Sequence, residues 1–320
     1  MEFISNCTAD AISNAAKALK DGHLVAFPTE TVYGLGADAT NEKAVSRIYS
    51  VKGRPTDHPL IVHISSINRL DDWATDIPDY AIKLAREFWP GPMTLILPRT
   101  NLAKDFITGG QNNVGLRVPA QPIASALLKK FEDLGGKGVA APSANKFGAV
   151  SPTTPEAVND ELSKSLDSKD LILNGGQCLV GIESTIINCI ETKPILLRPG
   201  SITTEMIEMT INTKIYLLNK KSTVKSPGIL EKHYSPKAKV ILNEFALKGE
   251  GFIALSNIAT PDGAKRLASP NNIEEFGQQL YEALRAGDKS NLSVIKVIPA
   301  EGSGLAESIR DRLSKASFKH

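Results

Sequence analysis

FPTETVYGLG, residues 27–36, follows the short apolar run HLVAF (23–27), and its reading decides the fold. Hydroxyl and acidic side chains beside two glycines, directly after a buried strand, describe an exposed turn that cradles a ligand. The segment Gly34 to Ala39 also matches G-x-G-x-x-A. A dinucleotide site needs a helix N-terminus directly on the pyrophosphate, and here the next helix opens only near Asn41. A plain Gly-rich turn and a ligand-cradling loop both remain open at this point.

Working outward, a first helix precedes the strand. Thr8 caps it, Ile12, Ala15, Ala16 and Leu19 make its apolar face, and Gly22 ends it. A second helix opens at Thr40 or Asn41, turns Ala44, Val45 and Ile48 inward, and ends near Gly53. A third, around 80–88, stops at Trp89-Pro90-Gly91-Pro92. PLIVHI (59–64), MTLILP (93–98), VGLRVP (114–119), VAAPS (139–143), DLILN (170–174), STIINCI (184–190) and PILLRPG (194–200) read as strands. Some are joined too briefly for helical crossovers, so a mixed or mostly antiparallel sheet is expected rather than a doubly wound one.

The Lys-, Ser- and Pro-rich stretch 220–239 shows no apolar period and reads as an extended linker. Beyond it KVILN (239–243), GFIALS (251–256) and LSVIKVI (292–298) alternate with helical runs around 273–285 and 305–313, a small Rossmann-like α/β pattern. The expected division is 1–212, 213–238 and 239–320. The 320 residues are 42% hydrophobic and 22% charged, with net charge +2, which suits two soluble domains and not a nucleic-acid-coating protein. Three scattered cysteines without C-x-x-C spacing give neither a disulfide framework nor a zinc site, so no metal ligand is assigned. No apolar stretch approaches the ~18 residues of a membrane span. The expected location is the cytoplasm, with no membrane partner.

The chemistry-bearing residues sit on strands and their ends. Lys52 and Arg54 flank Gly53 at a helix end, where they either complement the helix C-terminus or clamp a triphosphate. Both are expected to be solvent-accessible. Alternation puts His63 and Ile61 opposite Leu60, Val62 and Ile64, and Arg117 opposite Val114, Leu116 and Val118. It also puts Leu196 with Arg198, opposite Ile195 and Leu197. Two arginines and a histidine on apolar strands point to a polar concavity, with Arg117 suited to a carboxylate and Arg198 to a phosphate. His63 as a core histidine is the competing reading. Pro142-Ser143-Ala144-Asn145, then Ser151-Pro152-Thr153-Thr154-Pro155, supply small donors or merely turns. Gly181 to Thr185 is a glycine loop entering a strand. No P-loop, H-E-x-x-H or G-x-S-x-G motif occurs.

Together, FPTETVYGLG, Lys52-Gly53-Arg54, PLIVHI, WPGPMTLIL, GLRVP, Ser143-Ala144-Asn145, GIESTI, LLRPG and SPGILEKHYSP resemble, in order, the threonylcarbamoyl-AMP synthase family in its two-domain form. Residues 302–317 are similar to the end of that family's C-terminal domain. The resemblance implies a YrdC-like twisted α/β mixed sheet with helices around an open cavity, plus a small C-terminal Rossmann-like domain. It implies that L-threonine, bicarbonate and MgATP give threonylcarbamoyl-AMP and pyrophosphate. A partner transferase then modifies an adenosine beside the tRNA anticodon; direct tRNA binding stays open. Thr29, His63, Arg117, Ala141 (through its backbone) and Ser184 match threonine-binding positions. Lys52, Arg54, Asn113, Ser143, Asn145, Ser151, Arg198 and Tyr234 match nucleotide-binding positions, with Lys52, Arg54 and Mg²⁺ offsetting charge in the reaction. Tyr234 makes 226–236 a candidate lid. The rival readings are a double-stranded RNA binder and a carbamoyl-phosphate-dependent transferase, although the zinc-finger and acylphosphatase modules of the latter are missing.

Overall fold

The structure, a computed structural model, describes residues 2–4, 7–217 and 234–318. The first part is organised by local signals at helix ends. After β1 (Glu2–Ile4), helix α1 (Ala9–Lys20) is capped by Thr8, whose hydroxyl accepts from Ala11 N–H at 3.2 Å. Strands β2 (Val25–Phe27) and β3 (Gly34–Asp38) follow, then α2 (Glu42–Lys52), capped by Asn41 and closed by Gly53 at φ 62°. The chain continues through β4 (Ile61–His63), α3 (Leu70–Trp73), α4 (Asp79–Phe88), β5 (Met93–Pro98), α5 (Asp105–Thr108) and β6 (Asn113–Arg117). Next come α6 (Pro122–Asp133), β7 (Val139–Ala140), α7 (Pro155–Leu162), β8 (Leu171–Leu173), β9 (Thr185–Asn188), β10 (Ile195–Arg198), α8 (Thr204–Ile211) and β11 (Tyr216–Leu217).

Among the described residues these eleven strands form one sheet, ordered β1-β8-β2-β3-β7-β4-β6-β5-β9-β10-β11. Parallel and antiparallel neighbours are interspersed, so the sheet is mixed. Period-two alternation sorts its faces. Val25 and Phe27 pack with Leu19, Leu127 and Phe131 of α1 and α6, whereas Ala26 faces the larger core.

The reading of 28–36 as an exposed turn is corrected at its end: from Gly34 to Asp38 the chain is a buried strand, antiparallel to β2. The preceding residues are not exposed either, since Thr29 and Glu30 are buried. The glycines answer to close packing. A Cβ on Gly36 would stand 2.8 Å from Val139 Cγ1 and 2.9 Å from Phe27 Cε1.

The second part contains β12 (Lys239–Leu242), β13 (Gly251–Ile253), β14 (Lys265–Ala268), α9 (Ile273–Lys289), β15 (Val294–Val297) and α10 (Leu305–Ala316). Its parallel sheet runs β12-β15-β13-β14. The two parts share a core: Val32 and Val150 of the first pack with Tyr234, Tyr281, Leu284 and Ile309 of the second cluster. Ser308 donates to the Gly200 carbonyl at 2.8 Å, and Arg285 pairs with Glu161 at 3.0 Å. Gly181, at φ 79°, lets the backbones touch, because a Cβ there would lie 2.4 Å from the Gly277 carbonyl oxygen.

Candidate active site

A narrow cleft, with a cavity volume of about 60 Å³, lies over the central strands on the side away from the main core. His63 ends β4 and Arg117 ends β6; the two are register partners on neighbouring parallel strands, and both line the cleft with Ile61. Leu60, Val62, Ile64, Val114, Leu116 and Val118 point into the main core, as alternation expects. Thr29 is held by its own turn: Oγ1 donates to the Val32 carbonyl at 2.6 Å and accepts from the Thr31 and Val32 amides. Ala141 donates its N–H to the Ile61 carbonyl, fixing the backbone beside them.

Charge in the cleft is tightly managed. Arg117 Nη2 donates to Glu30 Oε1 at 2.7 Å, and Ala120 N–H donates to Glu30 Oε2. Glu30 thereby fixes the fork of a buried guanidinium. Burial, with Arg117 alongside, pushes His63 down to about 3, so the imidazole is neutral at physiological pH. Its Nδ1 has no hydrogen-bond partner among the described residues. Ser184 Oγ lies 2.8 Å from Thr94 Oγ1 and accepts from Arg198 Nη2 at 3.0 Å.

Arg198 reaches the cleft by an irregularity that alternation does not foresee. A bulge shifts the register between Leu196 and Arg198, so Arg198 pairs with Ile186 while Leu196 pairs with Ile187 of the main core. The expectation that Leu196 and Arg198 share a face is therefore corrected.

The expectation of solvent-accessible Lys52 and Arg54 is also corrected. Both are buried. Arg54 lines the cleft, donates to the Pro59 carbonyl at 3.0 Å and lies 5.6 Å from the Phe147 ring centre. Burial lowers it to about 10, still charged at neutral pH. Lys52 lies behind the cleft, where its ammonium donates to the Ser143 and Asn145 carbonyls and burial depresses its basicity. It tightens the turn that presents Ser143 to the cleft. Asn145 Nδ2 donates to the Lys146 and Ala149 carbonyls, and Oδ1 has no partner among the described residues. Ser151 is buried and donates to Glu183 Oε1 at 2.6 Å. Tyr234 lines the cleft, whereas the rest of the candidate lid up to residue 233 falls outside the described residues. Asn113 is not brought to the cleft: it begins the strand that Arg117 ends, about 13 Å away at the usual rise.

Glu30, Glu183, Tyr281 and Arg312 went unassigned in the sequence. The first two stand inside quoted words, PTET and GIEST, whereas Tyr281 and Arg312 carry only helical periodicity. Burial alone raises Glu183, but Arg312, Arg198 and the Ser151 hydroxyl bring it down to about 2.

The buried neutral imidazole makes stability depend on pH. His63 titrates below its ordinary 6.5, so the unfolded chain takes the proton first. Its contribution is complete above about pH 6.5 and is lost as pH falls towards 3, by up to about 1.4 kcal/mol per unit. Glu183 acts in the same direction lower down, from 4.5 to about 2. Urea midpoints of wild type and His63→Gln at pH 7, 6 and 5 isolate the histidine. The variant's midpoint is expected to fall less steeply; equal slopes contradict this account.

A family model described as telomere recombination matches residues 17–200, and one for the threonylcarbamoyl-AMP synthase C-terminal domain matches 202–317. A threonylcarbamoyl-AMP synthase of Pyrococcus abyssi is 39% identical over 323 residues, covering 95% of this chain and 93% of its own. The chain belongs to the threonylcarbamoyl-AMP synthase family. A Bacillus subtilis threonylcarbamoyl-AMP synthase is 37% identical over 329 residues, covering 96% of this chain and 92% of its own. Among solved structures, P. abyssi Sua5 complexed with L-threonine superposes with a TM-score of 0.90 at 37% identity, covering 99% of this chain and 98% of that one. Membership agrees with the two-domain α/β fold described above. Among the described residues, no helix is long and apolar enough to cross a membrane.

Proposed function

We infer that this chain is an L-threonylcarbamoyladenylate synthase, converting L-threonine, bicarbonate and ATP to threonylcarbamoyl-AMP and pyrophosphate for tRNA modification. One observation carries the reading. Thr29, His63, Arg117, Ala141 and Ser184 line the same cleft as Arg54, Ser143, Arg198 and Tyr234, so threonine-type and nucleotide-type positions adjoin.

In this reading Arg117, steadied by Glu30, takes the threonine carboxylate. The neutral His63, with the Thr29 and Ser184 hydroxyls, reads the threonine hydroxyl. The threonine amine adds to bicarbonate carbon and water leaves, giving a carbamate. A carbamate oxygen then attacks the α-phosphorus and the bond to pyrophosphate breaks. Both reactants are anionic, and Arg54 and Arg198, which line the cleft, offset their repulsion. Lys52 acts through the Ser143–Asn145 turn that it holds, and Asn145 and Ser151 support the nucleotide wall from behind. Asn113 contributes only if the strand end moves. Mg²⁺ enters with ATP as part of the substrate, bound by phosphate oxygens and water. Positioning and electrostatics carry the rate. The division into synthase domain 1–212, linker 213–238 and small domain 239–320 belongs to this proposal, as do the cytoplasmic location and a downstream transferase.

A pyrophosphate-release assay tests the reading. Release is expected only when threonine, bicarbonate and MgATP are all present. Equal release without threonine contradicts it.

A further inference from the structure

Arg312, on α10, lies outside the cleft yet touches two residues that line it. It is wholly buried. Its Nε donates to Glu183 Oε2 at 2.8 Å, Nη2 to the Pro199 carbonyl at 2.9 Å, and Nη1 to Asp311 Oδ2 at 2.6 Å. Its guanidinium carbon stands 5.4 Å from the centre of the Tyr234 ring, and Tyr234 stacks on Tyr281 at 5.8 Å. The Tyr281 hydroxyl donates to Glu183 Oε2 at 2.9 Å. Glu183 is thus a buried carboxylate between two buried guanidiniums, Arg312 behind it and Arg198 at the cleft. The direct ion pair is with Arg312. Arg198 instead donates Nε and Nη2 to the carbonyl and hydroxyl of Ser184.

We propose that Arg312 is a positioning residue for the nucleotide: by engaging Glu183 and supporting Tyr234, it keeps the charge of Arg198 directed at phosphate and makes the C-terminal domain part of the ATP site. Without Arg312, Glu183 is a buried carboxylate left with Arg198, the other cation that acts on it. An uncompensated buried charge is costly, so the two draw together and the cleft loses positive potential. Tyr234 loses a neighbour in the same step. The effect falls on the nucleotide more than on threonine, whose carboxylate site rests on Arg117 and Glu30. This rests on the reading of the cleft as an ATP site.

The test uses the full chain and the variants Arg312→Gln, Arg312→Lys, Glu183→Gln and the double variant Glu183→Gln/Arg312→Gln. ATP and threonine affinities are measured by calorimetry, beside melting temperature. Arg312→Gln is expected to weaken ATP binding about tenfold or more, with a smaller change for threonine. Arg312→Lys keeps part of the affinity. The double variant, with the stranded carboxylate also removed, binds ATP more tightly than Arg312→Gln alone, a coupling that a purely structural role does not produce. If Arg312→Gln does not fold, the double variant and Arg312→Lys decide. A double variant as weak as the summed single losses, or an Arg312→Gln that binds ATP like wild type, overturns the proposal while leaving the synthase reading intact. Wild type that binds no ATP overturns both.

Discussion

L-Valine is expected to be turned over at least about 10⁴-fold less efficiently than L-threonine, in kcat/KM. A buried site that hydrogen-bonds a substrate hydroxyl rejects the isostere lacking it by roughly 10⁴–10⁵, because its own polar groups are left unpaired. The cleft has that character. His63 is neutral and buried, with Nδ1 lacking a partner among the described residues. The Thr29 and Ser184 hydroxyls flank the same space. Valine desolvates these groups and returns nothing. L-Serine keeps the hydroxyl and lacks only the methyl, so its loss is about 1–3 kcal/mol, or roughly 10- to 200-fold. Competition assays with the three amino acids at fixed MgATP measure both ratios. Comparable turnover of valine and threonine removes the assignment of the threonine pocket.

Arg54→Ala is expected to lower kcat by about 10²–10³-fold, the usual cost of removing one group aimed at developing charge. Its fold should persist, because the guanidinium makes a single hydrogen bond to protein, at Pro59, among those described for it. Lys52→Ala is expected to behave differently. That ammonium satisfies two carbonyls of the Ser143–Asn145 turn, and removing a partner from buried polar groups costs about 1–3 kcal/mol. The variant therefore loses thermal stability together with activity. Lys52→Arg does not rescue it, since the planar fork does not fit a site shaped for a compact ammonium. Parallel melting curves and single-turnover rates separate the two residues. Identical behaviour of Arg54→Ala and Lys52→Ala contradicts the distinction between a cleft residue and a turn clamp.

The parts of this molecule written in short-range chemistry were legible in sequence. Thr8, Asn41 and Gly53 mark helix ends because capping involves residues only three or four apart. His63 and Arg117 declared themselves as polar residues on the off-core face of apolar strands, which is a matter of period two. The failures share a cause. In Gly34–Asp38, Gly34 and Gly36 alternate with Leu35 and Ala37 and read locally as a turn; the strand is defined by pairing with β2 and β7, and the glycines by the crowding of Phe27 and Val139. The bulge at Leu196–Arg198 inverts a face through pairing with β9, and nothing local announces it. The burial of Lys52 depends on Ser143 and Asn145, some ninety residues away. Arg312 and Tyr281 belong to helices of another domain, and their bearing on the cleft arises only where that domain docks on Glu183.

The most direct measurement follows carbon and phosphorus together. The purified full chain is incubated with carbon-labelled bicarbonate, α-phosphorus-labelled ATP, Mg²⁺ and L-threonine, and the products are separated rapidly. The account predicts one labile species carrying both labels, with the mass of threonine, one carbonate-derived carbonyl and AMP, formed in equal amount with pyrophosphate. A nucleotide product without the carbon label, or a doubly labelled product that forms equally well without threonine, contradicts it.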